Sequence, residues 1–63
     1  MDLKNKTNNK LEFYKNRLID LEECLNQGKL TKDCIHFCKS EIEKAKDNIQ
    51  YYEEILKILE KEN

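Results

Sequence analysis

Two uninterrupted apolar seams, set on either side of a single glycine, constrain this chain more than any other feature. In NNKLEFYKNRLIDLEECLNQG, Leu11, Tyr14, Leu18, Leu21 and Leu25 are spaced alternately three and four residues apart. After Gly28 the same alternation runs through Ile35, Cys38, Ile42, Ala45, Ile49, Tyr52, Leu56 and Leu59. Such spacing gathers side chains onto one stripe of an α-helix and favours the shallow left-handed crossing of coiled coils. No stretch alternates with period two, so no strand is predicted. The lack of proline and the lone glycine also argue against sandwiches and barrels, which need many turn residues.

Helix-end chemistry sets the expected boundaries. Asn9 can cap the first helix, with Glu12 in the capping-box position. Gly28 stands where a left-handed residue follows a helix C-terminus. Thr31 can cap the second helix, Asp33 suits its first turn, and Leu30 with Ile35 form a hydrophobic staple. The expected fold is all-α: a short helix over about 10–26 and a long helix over about 32–61, folded back antiparallel across a short turn. Residues 1–8 read as a flexible polar tail, because Asp2, Asn5 and Asn8 interleave with Lys4 and Lys6. The whole chain is one domain. At 63 residues it is small enough that burial on folding covers only about 60% of the unfolded surface, so a partner or a very regular packing is needed.

The run DCIHFCKSE raises the question of chemistry. On a helix advancing about 100° per residue, Cys34 and Cys38 fall within about 40° of each other, whereas His36 lies on the opposite side. Metal ligands must converge on one point, so no metal site is expected. Cys38 belongs to the apolar seam. Cys24 and Cys34 flank the two seams close to the turn, and whether they bridge is left open, since a loop of that length could gain roughly 3 kcal/mol from closure. An odd cysteine count without a secretory signal favours reduced thiols in the cytoplasm. No base stands beside Ser40 or Thr31, the pairs Glu22-Glu23 and Glu53-Glu54 diverge on a helix, and no glycine-rich phosphate loop occurs. Neither catalysis nor a cofactor is expected.

A net charge of −1, with acids interspersed among the lysines, makes nucleic acid an improbable partner, and no apolar run could span a membrane. The segment KSEIEKA, residues 39–45, resembles the Ser-Gln-Glu-Leu-Asp motif of the small sporulation-regulating aspartyl-phosphate phosphatases of bacilli. Glu41 is identical, Ile42 replaces the Leu and Glu43 stands in place of the Asp; the distance from Gly28 is about one residue longer. That resemblance implies a phosphatase-like hairpin regulator as one alternative function; weak nucleic-acid binding through the basic start, Lys4, Lys6 and Lys10, is the other.

Unequal helix lengths supply the main functional expectation. At 1.5 Å per residue the long helix measures roughly 45 Å and the short one roughly 25 Å. Pairing Leu25 with Ile35, Leu18 with Ile42 and Leu11 with Ile49 leaves YYEEILKILEKE as an uncovered overhang. That overhang is apolar on two sides: Tyr52, Leu56 and Leu59 continue the seam, while Tyr51, Ile55 and Ile58 form a second stripe. Large side chains left in water forgo roughly 1.5–3 kcal/mol each, and a contiguous patch of them marks an interface. The alternative cover is Met1 and Leu3 folded back over the overhang, but two residues cannot cover six apolar positions. These six are the expected interface of a homodimeric four-helix bundle, with Phe13 and Phe37 available to an unidentified protein target. The expected function is therefore that of a small regulator, adaptor or inhibitor acting by protein contact; the Lys/Asn/Ile bias fits a bacterial or phage source.

Overall fold

The computed structural model describes residues 2–61. Helix α1 spans Leu3–Asn26 and helix α2 spans Lys32–Lys61, packed together as an all-α hairpin. The turn follows the end chemistry. Gly28 takes a φ of 71°, the left-handed conformation that follows a helix C-terminus at low cost only in glycine. The Cys34 N–H donates to the Thr31 hydroxyl at 3.3 Å, and the Ile35 N–H to the Thr31 carbonyl at 2.9 Å. Leu30 and Ile35 are both half-buried, as a staple requires. An added Cβ at Gly28 would meet no atom within 4 Å. Gly28→Ala is therefore expected to destabilise by backbone strain alone, about 1 kcal/mol, measured as a lower urea midpoint with an unchanged slope. A midpoint equal to that of the native chain would mean the turn relaxes without that strain.

The N-terminus departs from expectation. Helix α1 begins at Leu3, seven residues before the expected start at Lys10, and the supposed tail is helical from Leu3 to Asn8; Met1 lies outside the described residues. Asp2, not Asn9, is the cap: its carboxylate accepts from the Lys4 N–H at 3.2 Å. Thr7 donates its hydroxyl to the Leu3 carbonyl at 2.8 Å, and with that polar atom satisfied it is only 4% exposed. Lys4, Thr7 and Leu11 thus carry the three-four seam a further two turns towards the N-terminus. Asparagines at 5, 8 and 9 lower helix propensity by less than about 1 kcal/mol each, too little to stop a helix that has something to pack against.

The overhang is consequently lost. Leu3, Thr7 and Lys10 line one shallow groove with Tyr51, Tyr52 and Ile55, and Leu11 and Lys15 line another with Glu53, Leu56 and Glu60. The first helix has not run out beyond Ile49; it accompanies α2 almost to its end. Among the described residues Leu11, Cys38, Ile42 and Ala45 form the buried apolar core, with Ala45 only 2% exposed. Every other apolar seam residue, including Leu18, Leu21, Leu25, Ile49 and Tyr52, is only half-buried. One helix can cover only one stripe of its neighbour, so a lone hairpin has no second layer to close this core.

Candidate interaction face

The hairpin has two long faces, and the seven-residue repeat sorts residues between them. On one side of the α1 seam lie Leu3, Lys10, Arg17 and Cys24, with Lys6, Phe13 and Asp20 further out. On the matching side of the α2 seam lie Cys34, Glu41, Asn48 and Ile55, with Phe37, Lys44, Tyr51 and Ile58 further out. In an antiparallel pair these flanks share one face. The Arg17 guanidinium, donating to Glu41 at 2.9 Å, joins them directly. The opposite face carries Asn8, Glu12, Lys15 and Glu22 of α1 against His36, Lys39, Glu43, Lys46, Glu53, Lys57 and Glu60 of α2. It is polar almost throughout.

Exposed apolar side chains follow that division. Among the described residues six large ones are exposed, and five of them, Leu3, Phe13, Phe37, Tyr51 and Ile58, lie on the first face. Only Ile19 projects from the polar side. Ile55, half-buried, lines the same groove as Leu3 and Tyr51. The six expected interface residues therefore divide. Tyr51, Ile55 and Ile58 stay on this face, with Tyr51 59% and Ile58 58% exposed. Tyr52, Leu56 and Leu59 occupy the intrachain seam and are half-buried, because the longer α1 reaches the stretch they were thought to overhang. Phe13 and Phe37, assigned from sequence to a separate partner surface, join the same face as Tyr51. Leu3 joins this face too, which the sequence offers only as an alternative, with Met1 and Leu3 folded back over the overhang; the further signal is its place seven residues ahead of Lys10 on the flank of the continued seam.

An aromatic row crosses the hairpin at one level. Phe13 meets Tyr14 edge-on with centroids 5.1 Å apart, Tyr14 stacks on Tyr52 at 5.9 Å, and Tyr52 meets Tyr51 edge-on at 5.2 Å. Offset and edge-on arrangements of this kind are the favourable ones for aromatic quadrupoles. The row fixes Phe13 and Tyr51 as its two outward ends, at equal height on opposite edges. Nearer the turn, the same face is polar. Glu41 accepts from Arg17 and also lies 3.2 Å from the Lys44 ammonium, and these two hydrogen-bonded cations hold its carboxyl below the usual range.

The cysteines separate by depth. Cys38 is buried, Cys24 half-buried and Cys34 exposed, all three unbridged. Burial pushes the Cys38 thiol up, helped by the charge and hydrogen bond of Cys24 and by Cys34. His36 is exposed, and no group of three or more His, Cys, Asp or Glu side chains among the described residues is arranged to hold a metal ion. Iodoacetamide at pH 8 is expected to label Cys34 first and Cys38 last, because the thiolate is the nucleophile and the buried thiol resists ionisation. Peptide mass spectrometry over a time course reads that order. Equal rates would place Cys38 at the surface.

Glu41 and Glu43, which carry the resemblance to the phosphatase motif, part company here: Glu41 is bound in the ion pair and Glu43 lies exposed on the polar face. Among the described residues no helix is long and apolar enough to cross a membrane. Comparison with protein-family models, curated proteins and solved structures finds no match to this chain.

Proposed function

We propose that this chain is a non-enzymatic helical-hairpin protein that acts by protein contact, as a regulator, adaptor or inhibitor, and that it self-associates through its apolar face. The observation that carries this reading is the one-sidedness of the surface. Among the described residues five large exposed apolar side chains share one face, while the other holds alternating charges and one exposed isoleucine. Scattered apolar residues need no explanation, but apolar residues sorted onto one face favour docking. The thin core points the same way: with four apolar residues buried among those described, a second layer over the half-covered seam would supply burial that the lone hairpin lacks.

Static light scattering at micromolar concentration tests the reading, with twice the chain mass of 7.6 kDa expected. A monomer of full helicity by circular dichroism would remove self-association. Steady release of phosphate from an aspartyl-phosphate protein, lost on Glu43→Gln, would replace the non-enzymatic reading with the phosphatase-like one.

A further inference from the structure

We infer that the occupant of the apolar face is a second copy of the hairpin, packed about a two-fold axis parallel to the helices so that both turns lie at the same end; this rests on the self-association proposed above. The molecule measures 48 × 15 × 15 Å. One long face therefore offers roughly 700 Å² before side-chain relief, close to the ~800 Å² per partner of a standard stable interface. A single face suffices, which is what an isologous dimer requires.

Two face-to-face arrangements are open to such a hairpin, and the residues distinguish them. With the turns together, each α1 lies over α2 of the other copy, and residues at equal height become neighbours. The aromatic row puts Phe13 and Tyr51 at equal height on opposite edges, so Phe13 of each copy meets Tyr51 of the other. The apolar end, with Leu3, Ile55 and Ile58, meets itself. Asp20 and Lys44, on the outer edges near the Arg17–Glu41 pair, come together with opposite charge. By the same height rule Lys6 of α1 lies opposite Ile58 of the other copy, where its methylene stem can cover the isoleucine while the ammonium reaches solvent.

Turned end for end, α1 lies over α1 and α2 over α2. The apolar half of one copy then meets the turn half of the other, where Arg17, Asp20, Glu41 and Lys44 interrupt the surface. Ile58 then meets the α2 end that carries Phe37, but Tyr51 falls near Glu41 and Lys44, and Leu3 meets the turn end of α1, where this face exposes no large apolar side chain among the described residues. Apolar against charged is the costlier pairing. The uneven distribution of apolar residues along the face therefore selects the arrangement with the turns together.

The experiment places one spin label in the turn, through Lys29→Cys in the full chain with Cys24→Ser, Cys34→Ser and Cys38→Ala. Light scattering and circular dichroism on the unlabelled triple variant confirm first that mass and helicity match those of the native chain; if they do not, a single photo-crosslinking amino acid at Lys29 in the native background replaces the label. Turns together predict a dimer with labels within two helix diameters, about 20–25 Å, or turn-to-turn crosslinks. A dimer whose labels lie near the 48 Å molecular length, or whose crosslinks run from turn to helix end, overturns this arrangement and leaves self-association standing. A monomer overturns both.

Discussion

Removal of residues 1–9 is expected to unfold most of the remaining chain at 25 °C, or at least to lower its melting temperature by about 15 °C. The deletion takes away Thr7, which is buried, and the α1 surface that shares a groove with Tyr51, Tyr52 and Ile55. Exposing parts of these side chains and of the neighbouring Leu56 forgoes about 3–5 kcal/mol in total. A domain of this length has roughly 3–9 kcal/mol to lose, and in so small a domain each 1 kcal/mol moves the melting temperature by about 4–8 °C. A polar tail would behave otherwise: its loss would leave the melting curve where it was. Thermal melts of the two chains followed at 222 nm decide the matter. A shift under about 3 °C would show that the first two turns of α1 do not pack on α2.

That contrast also marks where the sequence stopped being legible. The hairpin itself could be read because Leu11 to Leu25 and Ile35 to Leu59 are large, apolar and strictly spaced. The turn could be read because Gly28 and Thr31 each have a local conformational reason to stand where they do. The start of α1 could not, since its seam continues through Lys4 and Thr7, neither of which registers as apolar. Thr7 qualifies as core only because its hydroxyl bonds the Leu3 carbonyl one turn back, a compensation that exists only once the helix has formed. Asn9 was a plausible cap by residue type, but Asp2 caps a helix that has two more turns to pack. Propensity yielded to tertiary contact.

The same misplacement explains the division of the interface. An overhang made Tyr52, Leu56 and Leu59 look equivalent to Tyr51, Ile55 and Ile58. Once α1 extends, the first three turn inward and the second three remain. Leu56→Asp, which an overhang would make a test of assembly, becomes a test of the hairpin's own seam. Assembly has to be probed at residues that the hairpin itself does not use.

Tyr51→Glu combined with Ile58→Glu is accordingly expected to convert a dimer into a monomer while most helicity survives. Both side chains are more than half exposed in the single chain, so their replacement removes little intrachain packing beyond the edge contact of Tyr51 with Tyr52. Across an interface the effect is different. Each carboxylate must leave water as the face closes, at a cost of order 1–3 kcal/mol even when partly compensated by Lys6 of the other copy. Two-fold symmetry incurs every such cost twice. A combined loss near 4 kcal/mol corresponds to about a 10³-fold rise in Kd, enough to dissociate a micromolar sample of a protein that dimerises with a Kd of about 10⁻⁸–10⁻⁷ M. Ile19→Glu is the matched control, since Ile19 is 51% exposed but projects from the polar face. Light scattering should give monomer for the double variant and leave the Ile19 variant unchanged, with circular dichroism confirming that both remain helical. If the Ile19 variant dissociates and the double variant does not, the docking surface lies on the polar face. If neither changes the mass of a dimeric native chain, the contact lies off both faces, and the sorting of apolar residues onto one of them serves some purpose other than self-association.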